Sequence, residues 1–262
     1  AVEIGGRQIL RSISLGIPEA RRVALCGPNG SGKSTLLRTL FGALPLSAGA
    51  VLIDGDRLGD LTRQQIARRV GVVLQERPID FDFTVREVIE MGRTAHRGGL
   101  LGTDPNRSTA VEVAADRVGM AAMIDRRFNS LSGGEKQRAL LARCLAQETP
   151  VVLLDEPTNH LDVHYQLELL SLVASLEATV VMALHDLNLA ATFCDEICLI
   201  QDGAIVAAGG LDEAITEEII SQVFGVRARR ATHPDTGRPH FFFSALSSAE
   251  RLSHHESETE PA

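Results

Sequence analysis

RVALCGPNGSGKSTLLRTLFG, residues 22–42, is the stretch that decides the fold. Its first five residues form a short apolar run without alternation, which predicts a strand buried on both faces. Gly27, Pro28, Asn29, Gly30, Ser31, Gly32, Lys33 and Ser34 then fit the pattern G-x-x-x-x-G-K-[ST], and a helical run, TLLRTLFG, opens directly after it from Thr35. Strand, glycine loop and helix in this order are the context the pattern needs to cradle phosphate. The glycines let successive backbone N–H groups curl inward, and the helix N-terminus adds its partial positive charge. Lys33 brings a full charge to the β and γ phosphates, and the Ser34 hydroxyl can ligate Mg²⁺. The loop implies a nucleoside triphosphate without saying which class of protein uses it.

Four further apolar runs share the character of residues 22–26. They are 70–74 running into Gln75, 151–154 running into Asp155 and Glu156, 179–184 running into His185, and 196–200 running into Gln201, Asp202 and Gly203. Helical patterns lie between them at 33–41, 62–69, 134–147, 163–175 and 187–193. Strand–helix alternation predicts an α/β fold with a mostly parallel sheet. The stretch 83–148 interrupts it: FTVREVIEMGR, STAVEVAADRVGM and GEKQRALLARCLAQ read as amphipathic helices with no strand among them. The expected division is a nucleotide-binding α/β core over 1–82 and 149–225 with an N-terminal antiparallel β part. A helical subdomain covers 83–148, a C-terminal extension 226–246, and a polar, disordered tail 247–262.

In a parallel sheet, ligands gather at the carboxyl ends of the strands. The glycine loop, Gln75, Asp155-Glu156 and His185 each follow a strand, so parallel strands bring all four to one crevice. γ-Phosphate hydrolysis requires a metal anchor, an oriented water and neutralised equatorial charge. Ser34, Gln75 and Asp155 suit the Mg²⁺ shell, with Gln75 an equal candidate for the attacking water. Glu156 suits water positioning or general-base work, and His185 a γ-phosphate contact. A second helix N-terminus built for an anion stands at Leu131-Ser132-Gly133-Gly134-Glu135, where Ser132 is a good N-cap.

GPNGSGKST, Gln75, LSGGE, VVLLDE and ALHD, in this order and spacing, resemble an ATP-binding cassette ATPase over nearly the whole chain. The resemblance implies a head-to-tail homodimer with two ATP molecules. Each would lie between the glycine loop of one subunit and the Leu131–Glu135 signature of the other. Asn159, His160, Leu161 and Asp162 match the family's interface-crossing loop, a reading preferred to a His160/His164 metal pair that has no third ligand nearby. One departure stands out: no Phe, Tyr or Trp precedes Phe41 to stack on adenine, so the expectation is that Ile4 or Val2 substitutes by apolar contact or that the aromatic lies upstream of residue 1. FDFTVREVIEMGRTAH (81–96), TNHLDVHYQLELL (158–170), ALHDLNLAATFCDEICLIQDGAIVAAG (183–209) and TGRPHFFF (236–243) are similar to importer ATPases for ferric siderophores, haem and cobalamin. This implies two separate permease subunits that dock in a groove around Arg77 to Arg97, a substrate-binding protein acting indirectly, and a place on the cytoplasmic face of the membrane. The other cassette readings are a non-transport ATPase and an importer of another substrate such as a metal ion.

Composition fits this reading and excludes others. The 262 residues are 44% hydrophobic and 23% charged, as in a globular protein with a sizeable core. No apolar run nears the roughly 18 residues of a spanning helix, and AVEIGGRQIL has neither the basic nor the apolar region of a secretory signal. A net charge of −8 disfavours nucleic-acid wrapping. Cys26, Cys144, Cys194 and Cys198 have no zinc spacing and read as buried free thiols, which suits a reducing compartment. Lys33 and Lys136 are the only lysines.

Overall fold

The computed structural model describes residues 1–74, 82–97 and 102–246. Gln75, Arg77 and the tail 247–262 therefore lie outside the described residues. The chain opens with an antiparallel pair, β1 (Val2–Ile4) and β2 (Arg7–Leu10), followed by β3 (Arg22–Cys26) and α1 (Lys33–Leu40). A small hairpin of β4 (Leu52–Ile53) and β5 (Asp56–Arg57) leads to α2 (Arg63–Ala67) and β6 (Val70–Val73). Three helices follow, α3 (Val85–Met91), α4 (Arg107–Arg117) and α5 (Gly133–Leu145). Then come β7 (Val151–Asp155), α6 (Val163–Ala174), β8 (Thr179–Ala183), α7 (Leu187–Phe193), β9 (Glu196–Gln201) and β10 (Ala204–Gly210). The C-terminal part holds α8 (Leu211–Ala214), α9 (Glu217–Phe224) and a hairpin of β11 (Val226–Thr232) and β12 (Pro239–Ala245).

The central sheet has the order β10-β9-β3-β8-β7-β6. The five strands expected from apolar runs are its five mutually parallel members, and β10 adds an antiparallel edge. Both faces of the sheet are covered, which is why those strands are apolar throughout rather than alternating. Ala24, Cys26, Val152, Leu154, Val180 and Met182 point into a core shared with α3 to α7. Val23, Leu25, Leu153 and Val181 point the other way, onto α1 and the N-terminal strands. The four cysteines are buried as expected. Burial pushes the Cys144, Cys194 and Cys198 thiols up to about 12.

Several helices start where the sequence supplies a side-chain cap. Thr84 and Glu87 form a capping box on α3, and Thr62 and Gln65 form one on α2. The helix expected over 62–69 shrinks to five residues, because Thr62 is its cap and the chain turns into β6 after Arg69. Between residues 83 and 148 the described residues contain no strand, as expected, apart from one isolated bridge between Thr84 and Arg127. In the C-terminal segment, Phe241 of β12 is 1% exposed and belongs to the main core.

Candidate active site

The glycine loop leaves β3 at Cys26 and enters α1 at Lys33. Gly27 stands at φ 150°, and a Cβ there would sit 2.0 Å from the Ile200 carbonyl oxygen of β9. The loop thus lies flat on the neighbouring strand in a way no other residue permits. Lys33 is 5% exposed, and its Nζ donates to the carbonyls of Gly27 at 2.8 Å and Pro28 at 3.0 Å. The ammonium is therefore folded back over its own loop. Burial lowers its pKa, opposed by the negative charges of Glu156 and Asp155. Ser31 is also buried, and its hydroxyl has no hydrogen-bond partner. An orphan hydroxyl beside a lysine ammonium in a glycine loop fits a site made for phosphate oxygens.

Ser34, on the first turn of α1, donates its hydroxyl to Asp155 Oδ1 at 2.8 Å. Asp155 ends β7 and is 2% exposed; burial raises its carboxyl pKa, with the Ser34 hydrogen bond pulling the other way. A hydroxyl–carboxylate pair, half-buried at Ser34 and buried at Asp155, is a hard, all-oxygen donor set, so the residues fit Mg²⁺. Among the described residues no cluster of three His, Cys, Asp or Glu could hold any other metal. His164 instead packs edge-on against Tyr165.

Glu156 follows Asp155 at φ 53°. A side-chain-bearing residue occupies this left-handed region at a cost of about 1–3 kcal/mol, and such strain concentrates at functional sites. The turn is held by Glu156 N–H donating to the Ala183 carbonyl of β8 at 3.2 Å. Its carboxylate meets His185 Nε2 at 2.5 Å and accepts from the Asn159 amide. His185 itself sits just beyond β8. The ends of β3, β7 and β8 therefore bring Lys33, Ser34, Asp155, Glu156 and His185 together as expected. Asn159 joins them, although its sequence position pointed only to an interface. A carboxylate held by an imidazole and an amide at a strand end can orient a water.

Leu131–Glu135 is placed elsewhere, at the head of α5. Ser132 caps the helix, accepting from Glu135 N at 3.3 Å, while Glu135 accepts from Ser132 N at 2.7 Å. That backbone bond, with the Ser132 hydroxyl, lowers the Glu135 carboxyl pKa. Ser132 and Gly133 are exposed. Gly134 is buried against Tyr165 of α6, whose ring would lie 3.0 Å from a Cβ there. Among the described residues, no hydrogen bond or ion pair joins 131–135 to the glycine loop 27–35 of the same chain. The loop Asn159–Asp162 is pinned differently: Asp162 caps α6, accepting from Tyr165 N at 3.1 Å, and His160 stands at φ 63°.

The ABC transporter family profile matches residues 10–159, more than half of the chain. The chain belongs to the ABC transporter family. It is 43% identical over 240 residues to the cobalamin import ATP-binding protein of Halobacterium salinarum, covering 90% of this chain but 60% of that relative. The chain thus spans about three-fifths of the length of that relative. It is 36% identical to the ferric enterobactin transport ATP-binding protein of Escherichia coli over 90% of this chain and 88% of that protein. Among solved structures it resembles a metal-chelate type ABC transporter in an inward-facing conformation, with a TM-score of 0.78, 26% identity and coverage of 93% and 94%. It also resembles a bacterial ABC transporter cassette solved as a dimer, with a TM-score of 0.68, 29% identity and coverage of 78% and 90%.

One expectation for this ABC protein needs correction. Val2 is 1% exposed and packs in the core, so it is not available to an adenine ring, whereas Ile4 is 47% exposed. The two would share a face of a regular strand, but the pairing register shifts between Val2 and Glu3 and breaks that relation. Sequence reading also missed the support behind the glycine loop. Gly203 N–H donates to the Ser31 carbonyl at 3.0 Å, and the Gly203 carbonyl accepts from Arg11 N at 2.7 Å. The Asp202-Gly203 pair, a hairpin-turn signal, is what could have revealed it.

Proposed function

We propose that this chain is the ATP-hydrolysing subunit of an importer for metal chelates, a ferric siderophore, haem or cobalamin, working with separate permease subunits at the cytoplasmic face of the membrane. The observation that carries the reading is the split just described. A phosphate loop with buried Ser31 and Lys33, beside its acid–imidazole pair, lies in one place, and an exposed, capped helix N-terminus that among the described residues makes no hydrogen bond or ion pair to that loop lies in another. The cobalamin and ferric enterobactin relatives support the substrate class, since both names denote a metal held by an organic ligand. No helix of the described residues is long and apolar enough to cross a membrane, which suits an ATPase subunit peripheral to its permease.

In this reading Gly27 to Thr35 wrap the triphosphate, and Lys33 swings from its two loop carbonyls onto the β and γ oxygens. Ser34 and Asp155, with Gln75, would hold Mg²⁺, which would supply positive charge to offset the charge of the triphosphate. Glu156 orients the attacking water, held in place by Asn159 and His185, and His185 meets the γ-phosphate. The Leu131–Glu135 signature closes over the nucleotide of a second copy, and Asn159–Asp162 cross the interface between the two copies in a head-to-tail homodimer. The division into a core at 1–82 and 149–225, a helical subdomain at 83–148 and a C-terminal part from 226 belongs to the same proposal.

A cleft of about 560 Å³ lies where the core meets the helices, lined by Phe41, Arg63 and Ile66 on one side and Met91, Gly92 and Gln147 on the other. It supports a permease docking groove close to the one expected around Arg77 to Arg97. ATP closes the dimer, the two grooves approach, the permeases switch access, and hydrolysis resets them. The driving force is the nucleotide's greater affinity for the closed form. The test is ATPase stimulation in proteoliposomes containing the cognate permease and a panel of loaded binding proteins. Stimulation by a metal-chelate-loaded binding protein is expected. Stimulation only by a free-metal binding protein would move the substrate class, and no response to any permease would favour a non-transport cassette ATPase.

A further inference from the structure

We propose that the C-terminal hairpin braces helix α7, so that Arg238 is a positioning residue that keeps His185 against Glu156. The inference rests on the reading of Glu156 and His185 as the pair that orients the attacking water.

His185 belongs to no helix or strand. It stands between the end of β8 and Asp186, the residue that caps α7. Its position is therefore set by where α7 begins. That helix has seven residues, too few to hold itself, so its ends must be tied down by other groups. At its start the Asp186 carboxylate accepts from Asn188 N at 2.7 Å and Leu189 N at 3.2 Å. At its end Arg238 Nη1 donates to the carbonyls of Ala191, Thr192 and Cys194 at 3.0, 2.9 and 2.8 Å. One guanidinium thus serves three carbonyls at the negative end of the helix dipole.

A second tie is made at the first turn, next to His185. The Asn188 side chain donates to the Phe241 carbonyl at 3.1 Å and accepts from Phe241 N at 2.7 Å, as a strand neighbour would. Phe241 is buried in the main core, so the helix is anchored to something that does not move. The hairpin turn aims Arg238 at its target: Thr236 Oγ accepts from Arg238 N at 3.4 Å, and the Arg238 carbonyl accepts from His233 N at 2.9 Å. The TGRPH segment, distinctive in the sequence and without a part in the nucleotide site, acquires one: it carries the arginine that fixes the far end of the helix behind His185.

The test is a double-mutant cycle on the purified full chain, with bound nucleotide counted so that inactive protein is discounted. Arg238→Ala is expected to lower kcat by roughly three- to tenfold with KM for ATP unchanged, the scale of one or two helix-terminus interactions. Arg238→Lys should recover part of the loss, and Asn188→Ala should reproduce it. In a His185→Ala background Arg238→Ala should slow turnover no further. An equal slowing in both backgrounds, or a wild-type kcat in Arg238→Ala, overturns the brace. If Arg238→Ala fails to fold, Arg238→Lys and Asn188→Ala run the same cycle with the same criteria. A wild-type rate in His185→Ala alone overturns instead the reading of His185 on which the inference rests.

Discussion

The glycine loop and the signature segment are both helix N-termini with anion-binding chemistry, yet the fold treats them in opposite ways. Around the loop, Lys33, Ser31 and Asp155 are all buried, at 5%, 3% and 2% exposed. Around the signature, Ser132 and Gly133 are exposed, the Ser132–Glu135 capping box satisfies the helix itself, and Glu135 also pairs with Arg126. Burying a lysine and a carboxylate costs free energy that only a later ligand recovers. An exposed cap carries no such cost. The contrast teaches that one region holds its polar groups out of water, ready for a ligand, while the other leaves its helix start open to solvent, as the proposed dimer requires.

The largest effects expected separate binding from turnover within the buried region. Glu156→Gln should keep ATP affinity and lose about 100- to 1,000-fold in turnover, because only the water-orienting carboxylate is removed. Lys33→Ala should instead lose about 10- to 100-fold in ATP affinity, because the mobile charge over the loop is gone. Calorimetric titration with ATP beside steady-state ATPase assays reads both. Near-normal hydrolysis in Glu156→Gln would remove Glu156 from its role.

Smaller effects sharpen the same contrast through stability. Asp155 has a raised pKa in the folded chain, so its ionisation penalises the nucleotide-free fold above that pKa, and the penalty vanishes once pH falls below the unfolded value. Asp155→Asn should therefore stabilise the nucleotide-free protein at pH 7, with a gain that shrinks on acidification toward pH ~4. Ser132→Ala should do the reverse, costing about 1 kcal/mol at neutral pH through the lost cap and leaving ATP binding to a single chain unchanged. Urea unfolding of both variants at the two pH values measures the pair. Equal responses would mean that the two helix starts are not differently built.

Much of this architecture was legible because the decisive strands are buried on both faces. A run such as VVLL or RVALC has no other comfortable home, and each ends on a residue with chemistry. The start of α5 was legible for a similar reason, since Ser132 is a cap by residue type, whereas Thr84 and Asp162 show their capping only in the structure. The strands that escaped are those with one wet face. β11 reads VRARRAT and looks like solvent, yet Arg229 and Arg230 pair with Glu217 of α9 and Asp212 of α8 while Ala228 turns into the core. The register shift that hides Val2 and exposes Ile4 leaves no trace in a three-residue strand. Asn159 was read as an interface residue because its sequence position shows neither the Glu156 turn nor the amide that reaches back to it.

The central claim is that a nucleotide is enclosed between two copies of this chain, the glycine loop of one facing Ser132 of the other. Cysteine cross-linking of an Asn29→Cys, Ser132→Cys variant in the Glu156→Gln background tests it most directly. Both positions are exposed, and the four native thiols are buried. The account predicts a disulfide between two chains that forms only when ATP and Mg²⁺ are present and gives a product of twice the chain's mass. Nucleotide-bound protein that stays monomeric and uncross-linked, or that forms the bond within a single chain, would contradict it.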